Sequence, residues 1–184
     1  LHGWPDIIKD YKNGNLKKIY TCSKSMAGKD IIPPAYDRIK SEEYLYCNVV
    51  HTSRGCPFQC DFCYNSAKNH KYINREIEDV IKDILAIGSK HIMFIDDNFA
   101  GNPAWTRKFL ERMKPLKLKW NAAVSLNIAD DLQLLDLMKE SGCQSLFIGF
   151  ESINPHSIDK VHKIQNDINK YEKAIKAIHD RGIM

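Results

Sequence analysis

The 184-residue sequence has no apolar run long enough to span a membrane and no secretory leader, which argues against a membrane-embedded or exported chain. It has no long basic block, and a formal net charge of +4 is too small to point to nucleic acid. There are six cysteines, but they are not spread like a disulfide framework: Cys22, Cys47 and Cys143 stand far apart, and Cys56, Cys60 and Cys63 are bunched. A tight bunch in an otherwise ordinary chain reads as a metal site in a reducing compartment, so the chain is read as cytoplasmic. What the bunch lacks is most telling. No fourth cysteine is close enough to close a four-coordinate site.

Three thiolates in the spacing Cys-x-x-x-Cys-x-x-Cys can wrap one compact object. On a four-iron cluster they leave one iron without a protein ligand. An open coordination position is a place for chemistry, whereas a closed one is usually structural. A zinc site completed by His51 or His70 is the competing reading, weakened by the absence of a second paired ligand set.

A hydrophobic content of 43% is that of a globular chain with a real core. Residues 1–45 are weakly periodic and broken by Gly14, Gly28 and the Pro33–Pro34 pair, which forbids regular helix. They read as a linker or packed arm with a short helix near residues 5–12. From residue 46 the pattern becomes regular. Strands are expected at 46–52, 91–95, 118–126 and 145–150. Helices are expected where Ile77, Val80, Ile81 and Ile84, then Trp105, Phe109 and Met113, then Leu132, Leu135 and Met138, and finally Ile168, Tyr171, Ile175 and Ile178 recur at helical spacing. Asn102 with Pro103, and Asp130 or Asp131, are the expected caps. Apolar strands alternating with amphipathic helices imply an α/β fold with a parallel sheet, four βα units long, whose ligands collect at the carboxyl ends of the strands. The cysteine loop follows the first strand, Asp96 and Asp97 the second, Ser125 and Asn127 the third, and Glu151 the fourth. All fall at one mouth of the sheet.

Those residues resemble the radical S-adenosylmethionine (SAM) superfamily. The three-cysteine spacing with Phe62 before the last cysteine is its signature, and the resemblance covers residues 46–184 as a partial (β/α) barrel, incomplete at its C-terminal end. It implies that Cys56, Cys60 and Cys63 hold a [4Fe-4S] cluster whose free iron chelates SAM. Reductive cleavage of SAM would then release a 5′-deoxyadenosyl radical, with electrons from a donor such as flavodoxin or ferredoxin. By the same resemblance Asp96 or Asp97 binds the SAM ammonium, Ser125 and Asn127 meet the ribose or the methionine carboxylate, Glu151 faces SAM, Phe62 lies near the adenine and Tyr64 covers the cluster. The run around Cys56, the segment Phe94–Phe99 and the segment Gly149–Ser152 are similar to the subgroup whose radical domain follows a cobalamin-binding domain. No cobalamin ligand motif is present in the sequence, so cobalamin would belong to a further domain. The chain reads as an excised piece of a larger protein, and its fourth strand is expected to present an open edge. The alternative to the enzyme reading is a non-catalytic zinc- or metal-binding α/β module. The substrate is not legible.

Overall fold

The structure is a computed structural model that describes residues 3–21, 26–66 and 71–184. Cys22 and His70 lie outside the described residues. In chain order the elements are α1 (Trp4–Lys12), β1 (Val49–Val50), β2 (Ser53–Arg54), β3 (Ile73–Asn74), α2 (Ile77–Ile87), β4 (His91–Phe94), α3 (Pro103–Met113), β5 (Lys119–Val124), α4 (Leu132–Glu140), β6 (Cys143–Ile148), α5 (Pro155–Lys160) and α6 (Tyr171–His179).

Four strands form one parallel sheet in the order β1-β4-β5-β6. Its register sets Val50 beside Phe94, Phe94 beside Ala122 and Val124 beside Ile148. The expected α/β architecture of four βα units is therefore present. Each helix begins and ends for a local reason. Asn102 accepts a hydrogen bond from the Trp105 amide at 3.2 Å, and Pro103 supplies the first helical turn of α3. Asp131, not Asp130, caps α4 by accepting from the Leu134 amide at 3.0 Å. α2 closes at Gly88 in the left-handed conformation.

The core lies between the sheet and its helices. Phe94, Phe99, Phe109 and Trp120 are completely or almost completely buried. Phe94 stacks on Phe99 with ring centroids 4.9 Å apart, and Trp120 meets Phe99 at 5.1 Å. Burial of such rings contributes the bulk of the apolar stabilisation, with roughly 0.5–1.5 kcal/mol more per well-oriented pair. The Trp120 indole donates to the Ser141 carbonyl at 3.1 Å, so its one polar atom is satisfied inside the core.

Three features depart from expectation. β1 is two residues long instead of seven, because Thr52 and Ser53 turn away to bind Asp96. A second, antiparallel ribbon, β2 with β3, brackets the cysteine loop. α5 is a single short segment capped by Asn154, too brief to give a periodic signal. β6 is the edge strand, as expected, and its edge is covered only at the middle, where Met184 donates to the Gln144 carbonyl at 2.9 Å and accepts from the Leu146 amide at 2.7 Å.

The N-terminal segment splits into two behaviours. α1 buries none of its residues. Further on, Ile31 is buried and the Tyr36 hydroxyl donates to the Val49 carbonyl at 3.1 Å. Gly28 explains the close seating: a Cβ there would lie 2.0 Å from the Asn74 carbonyl oxygen. Among the described residues, no helix is long and apolar enough to cross a membrane.

Candidate functional site

The carboxyl ends of β1, β4, β5 and β6 carry the residues singled out from the sequence. The cysteine loop is held in place by Asp96. Its carboxylate is buried and accepts four hydrogen bonds, from the Thr52 amide (2.8 Å) and hydroxyl (2.9 Å) and from the Ser53 amide (2.6 Å) and hydroxyl (3.0 Å). Burial pushes its pKa up, against the pull of those four donors. With three donors on Oδ1 and one on Oδ2, Asp96 fixes the bend that launches the loop. Asp97 points the other way. It is exposed and, among the described residues, takes only the Tyr64 hydroxyl, at 2.6 Å.

Within the loop, Cys63 donates its amide to the Cys60 carbonyl and Ser66 donates its amide to Cys63, each at 3.0 Å, which winds the chain into tight turns around the thiols. Cys60 is buried; Cys56 and Cys63 are half-buried. Burial raises the Cys56 thiol pKa, although the Phe58 backbone and the Asn98 amide work to lower it. Asn98, almost fully buried, spans two of the candidate groups: its amide donates to the Ser125 hydroxyl at 3.1 Å and reaches the Cys56 sulfur at 3.9 Å. Ser125 is thus tied to the loop, whereas Asn127 is exposed and lines a cavity of about 280 Å³ with Asp130, Gln165 and Lys170.

Glu151 has φ of +63°, a left-handed conformation uncommon outside glycine. The bend turns its carboxylate onto the Lys163 ammonium at 2.5 Å. The Lys163 side chain is 9% exposed, and its ammonium also stands 5.7 Å from the centre of the Phe62 ring. Gly149 makes room for this pair, since a Cβ there would lie 2.5 Å from Glu151 Oε1 and 3.0 Å from Lys163 Nζ. The resulting patch holds a cation, an anion and an exposed aromatic face beside the cysteine loop. Tyr64 is 71% exposed and leans toward Asp97.

Three contributors were not singled out from the sequence. Asn98 sits one residue beyond the acidic pair, and that proximity was the available signal. Lys163 and Gln165 lie about a hundred residues after the cysteines, and nothing in their local pattern marks them. They reach the site because residues 161–166 fold back onto the loop: the Asp61 amide donates to the Val161 carbonyl at 3.0 Å, and the Asp61 carboxylate meets His162 Nδ1 at 2.8 Å. His51 is exposed beyond the end of β1, and Trp105 stacks on Phe109 in the helical layer. Cys143 is buried, with its thiol pushed up to about 12 by desolvation.

The donor set fits an iron–sulfur cluster better than a single ion. Among the described residues, no group of three His, Cys, Asp or Glu side chains is disposed to hold one metal ion. Three cysteines that each face a different iron of a four-iron cluster need no common focus. The zinc-module reading finds no support in this arrangement.

A parallel α/β sheet with a three-thiol loop and polar side chains at its carboxyl rim has the layout of an iron–sulfur enzyme core. The chain belongs to the radical SAM superfamily, whose family model matches residues 50–184. Members of this family use a [4Fe-4S] cluster and SAM, and these are the cofactors of this chain. The chain is similar to bacteriochlorophyllide d C-12(1)-methyltransferase of Chlorobaculum tepidum, at 29% identity over 98% of this chain and 42% of that protein. It is also similar to an uncharacterized methyltransferase of Pyrococcus horikoshii, at 32% identity over 73% of this chain and 32% of that protein. The chain thus spans less than half the length of these relatives. In fold it matches the radical SAM methyltransferase TsrM of Kitasatospora setae, solved with cobalamin and a [4Fe-4S] cluster, with a TM-score of 0.64, 20% identity, and coverage of 74% of this chain and 29% of that one.

Proposed function

We propose that this chain is the cluster- and SAM-binding core of a larger, cobalamin-dependent methyltransferase. In this reading residues 1–45 form the arm that leads from a cobalamin-binding domain, and residues 46–184 form the radical SAM core. Cys56, Cys60 and Cys63 hold the cluster. With cluster and SAM bound, the cofactors supply reductive cleavage of SAM to a 5′-deoxyadenosyl radical.

The protein's own work is placement and electrostatics. Asp97, exposed and held by one hydroxyl, takes the SAM ammonium; Asp96 supports the loop from beneath. An anion beside an ammonium and a sulfonium is favoured by Coulomb attraction, the more so once the cofactor displaces water. The Glu151–Lys163 pair offers one group of each sign: Lys163 to the methionine carboxylate, Glu151 to the ribose hydroxyls. Phe62 presents its face to the adenine. Ser125, fixed by Asn98, and Asn127 complete the polar wall. The electron donor is a flavodoxin or ferredoxin, and the setting is the cytoplasm. Methyl transfer is favoured by the two similar methyltransferases above, and cobalamin by the sequence runs around Cys56, Phe94–Phe99 and Gly149–Ser152.

One observation carries this reading: three cysteines, an exposed acid, a buried lysine and an exposed aromatic gather on one rim of a parallel sheet. Anaerobic reconstitution tests it. About four irons and four sulfides per chain, broad visible absorption and SAM cleavage on reduction are expected. Cys60→Ala should abolish the cluster. A colourless protein holding one zinc, or full iron content in Cys60→Ala, would overturn the reading.

A further inference from the structure

We infer that Gln165 is a positioning residue for the cluster: its side-chain amide donates an N–H···S hydrogen bond to Cys60 and thereby raises the cluster's reduction potential. The inference rests on Cys60 being a cluster ligand. Gln165 Nε2 stands 3.3 Å from Cys60 Sγ, an ordinary length for a hydrogen bond to sulfur. Asn98 makes the weaker approach to Cys56, at 3.9 Å.

The placement is held from both sides. Lys163 is tied to Glu151, and the Asn166 amide donates to the Gly149 carbonyl at 3.0 Å, the Phe150 carbonyl at 3.2 Å and the Tyr171 hydroxyl at 3.2 Å. Asp61, next to Cys60, is bound to Val161 and His162. The glutamine therefore meets the sulfur across two segments that are already clamped together.

The amide is committed to that contact. Gln165 Oε1 is buried and has no hydrogen-bond partner among the described residues. A thiol could donate its proton to that oxygen if the amide were reversed. A metal-bound thiolate has no proton, so only the donating orientation remains. A donor aimed at a ligand sulfur stabilises the more negative, reduced cluster more than the oxidised one, because the added electron density spreads onto sulfur. SAM cleavage needs an electron from this cluster, so a contact from outside the cysteine loop adjusts how readily that electron arrives. Nothing in the local sequence around Gln165 announces the role.

The test compares wild type, Gln165→Leu and Gln165→Glu, each reconstituted anaerobically and titrated with a low-potential reductant while the reduced cluster is followed by electron paramagnetic resonance. Both variants keep full iron and sulfide, and Gln165→Leu, which has no N–H to donate, has a midpoint below wild type and the lower of the two; Gln165→Glu, which has also lost the amide N–H, does not exceed the wild-type midpoint. At one fixed reductant poise Gln165→Leu then shows a several-fold smaller reduced fraction. Full cluster content with unchanged midpoints overturns the inference and leaves the ligand assignment standing. A Cys60→Ala protein that retains its cluster overturns the ligand assignment and the inference with it. Should the glutamine variants fail to assemble a cluster, wild type carrying 15N in its glutamine amides decides: a 15N coupling to the reduced cluster supports the hydrogen bond, and its absence overturns it.

Discussion

The helix-covered face of the sheet and the carboxyl rim are built from the same strands yet obey different rules. On the covered face most choices agree, the exception being the buried Arg75–Asp83 pair under α2, which leaves Arg75 Nε and Nη2 without partners among the described residues. Phe94, Trp120, Leu134 and Met138 are buried with no unmet polar demand, and the caps at Asn102 and Asp131 use residues suited to the task. On the rim the rules are broken together. Glu151 and His162 hold positive φ, Lys163 is a nearly buried cation, and buried oxygens of Gln165 and Asn166 lack partners among the described residues. Each departure costs of the order of 1–3 kcal/mol. Lys117, ahead of β5 at the opposite end of the sheet, also holds positive φ, but such costs are densest beside the trio of thiols, where the chain gives up stability for chemistry.

That contrast can be broken in order of size. Trp120→Ala should remove about 3–5 kcal/mol by opening a cavity among Phe94, Phe99 and Phe109, and denaturant unfolding of the apoprotein would show it. A loss below about 1 kcal/mol would mean that the aromatic layer is not the main stabilising unit. Asp96→Asn should cost about 1–3 kcal/mol, since an amide cannot accept from four donors without presenting its own NH2 to one of them. Its neighbour should behave in the opposite way. Asp97→Asn should leave stability within about 0.5 kcal/mol, because the group is exposed. It should weaken SAM binding about tenfold, or about 1.4 kcal/mol, by calorimetry on the reconstituted protein. Equal stability losses at the two positions would erase the distinction between a supporting acid and a binding acid.

The covered face was legible in the sequence and the rim only in part, for a physical reason. Helices and strands announce themselves by the period at which apolar residues recur, and α2, α3, α4 and α6 carry that period clearly. The cysteine loop, Asp96, Asp97 and Glu151 stood out because each follows a strand. Which of the two adjacent acids faces outward was not legible: it is set by Thr52 and Ser53, more than forty residues upstream, which pull Asp96 inward. The roles of Lys163 and Gln165 depend on residues 161–166 folding back over the loop, a contact between segments about a hundred positions apart with no repeat or motif to signal it. Short elements failed for want of length. α5 and the β2–β3 ribbon are too brief for periodicity to rise above chance.

The smallest effect tests the rim most sharply. Glu151 sits in the left-handed region at a cost of roughly 1 kcal/mol for a residue with a Cβ. Asparagine tolerates that conformation better, so Glu151→Asn should recover part of this strain. It also removes the anion facing Lys163, and a nearly buried ammonium without a partner is unfavourable. Because the glutamate is 41% exposed, water screens the lost pair and limits that penalty. The two changes oppose each other, and the net shift in stability should stay under about 1 kcal/mol. Function should not cancel in the same way. If Glu151 holds the ribose, the variant binds SAM more weakly while its unfolding curve barely moves. If instead Glu151 serves only to neutralise Lys163, SAM binding stays as it was and the small stability change is the whole effect. Measuring both on one preparation separates a ligand-binding strain from a purely internal ion pair.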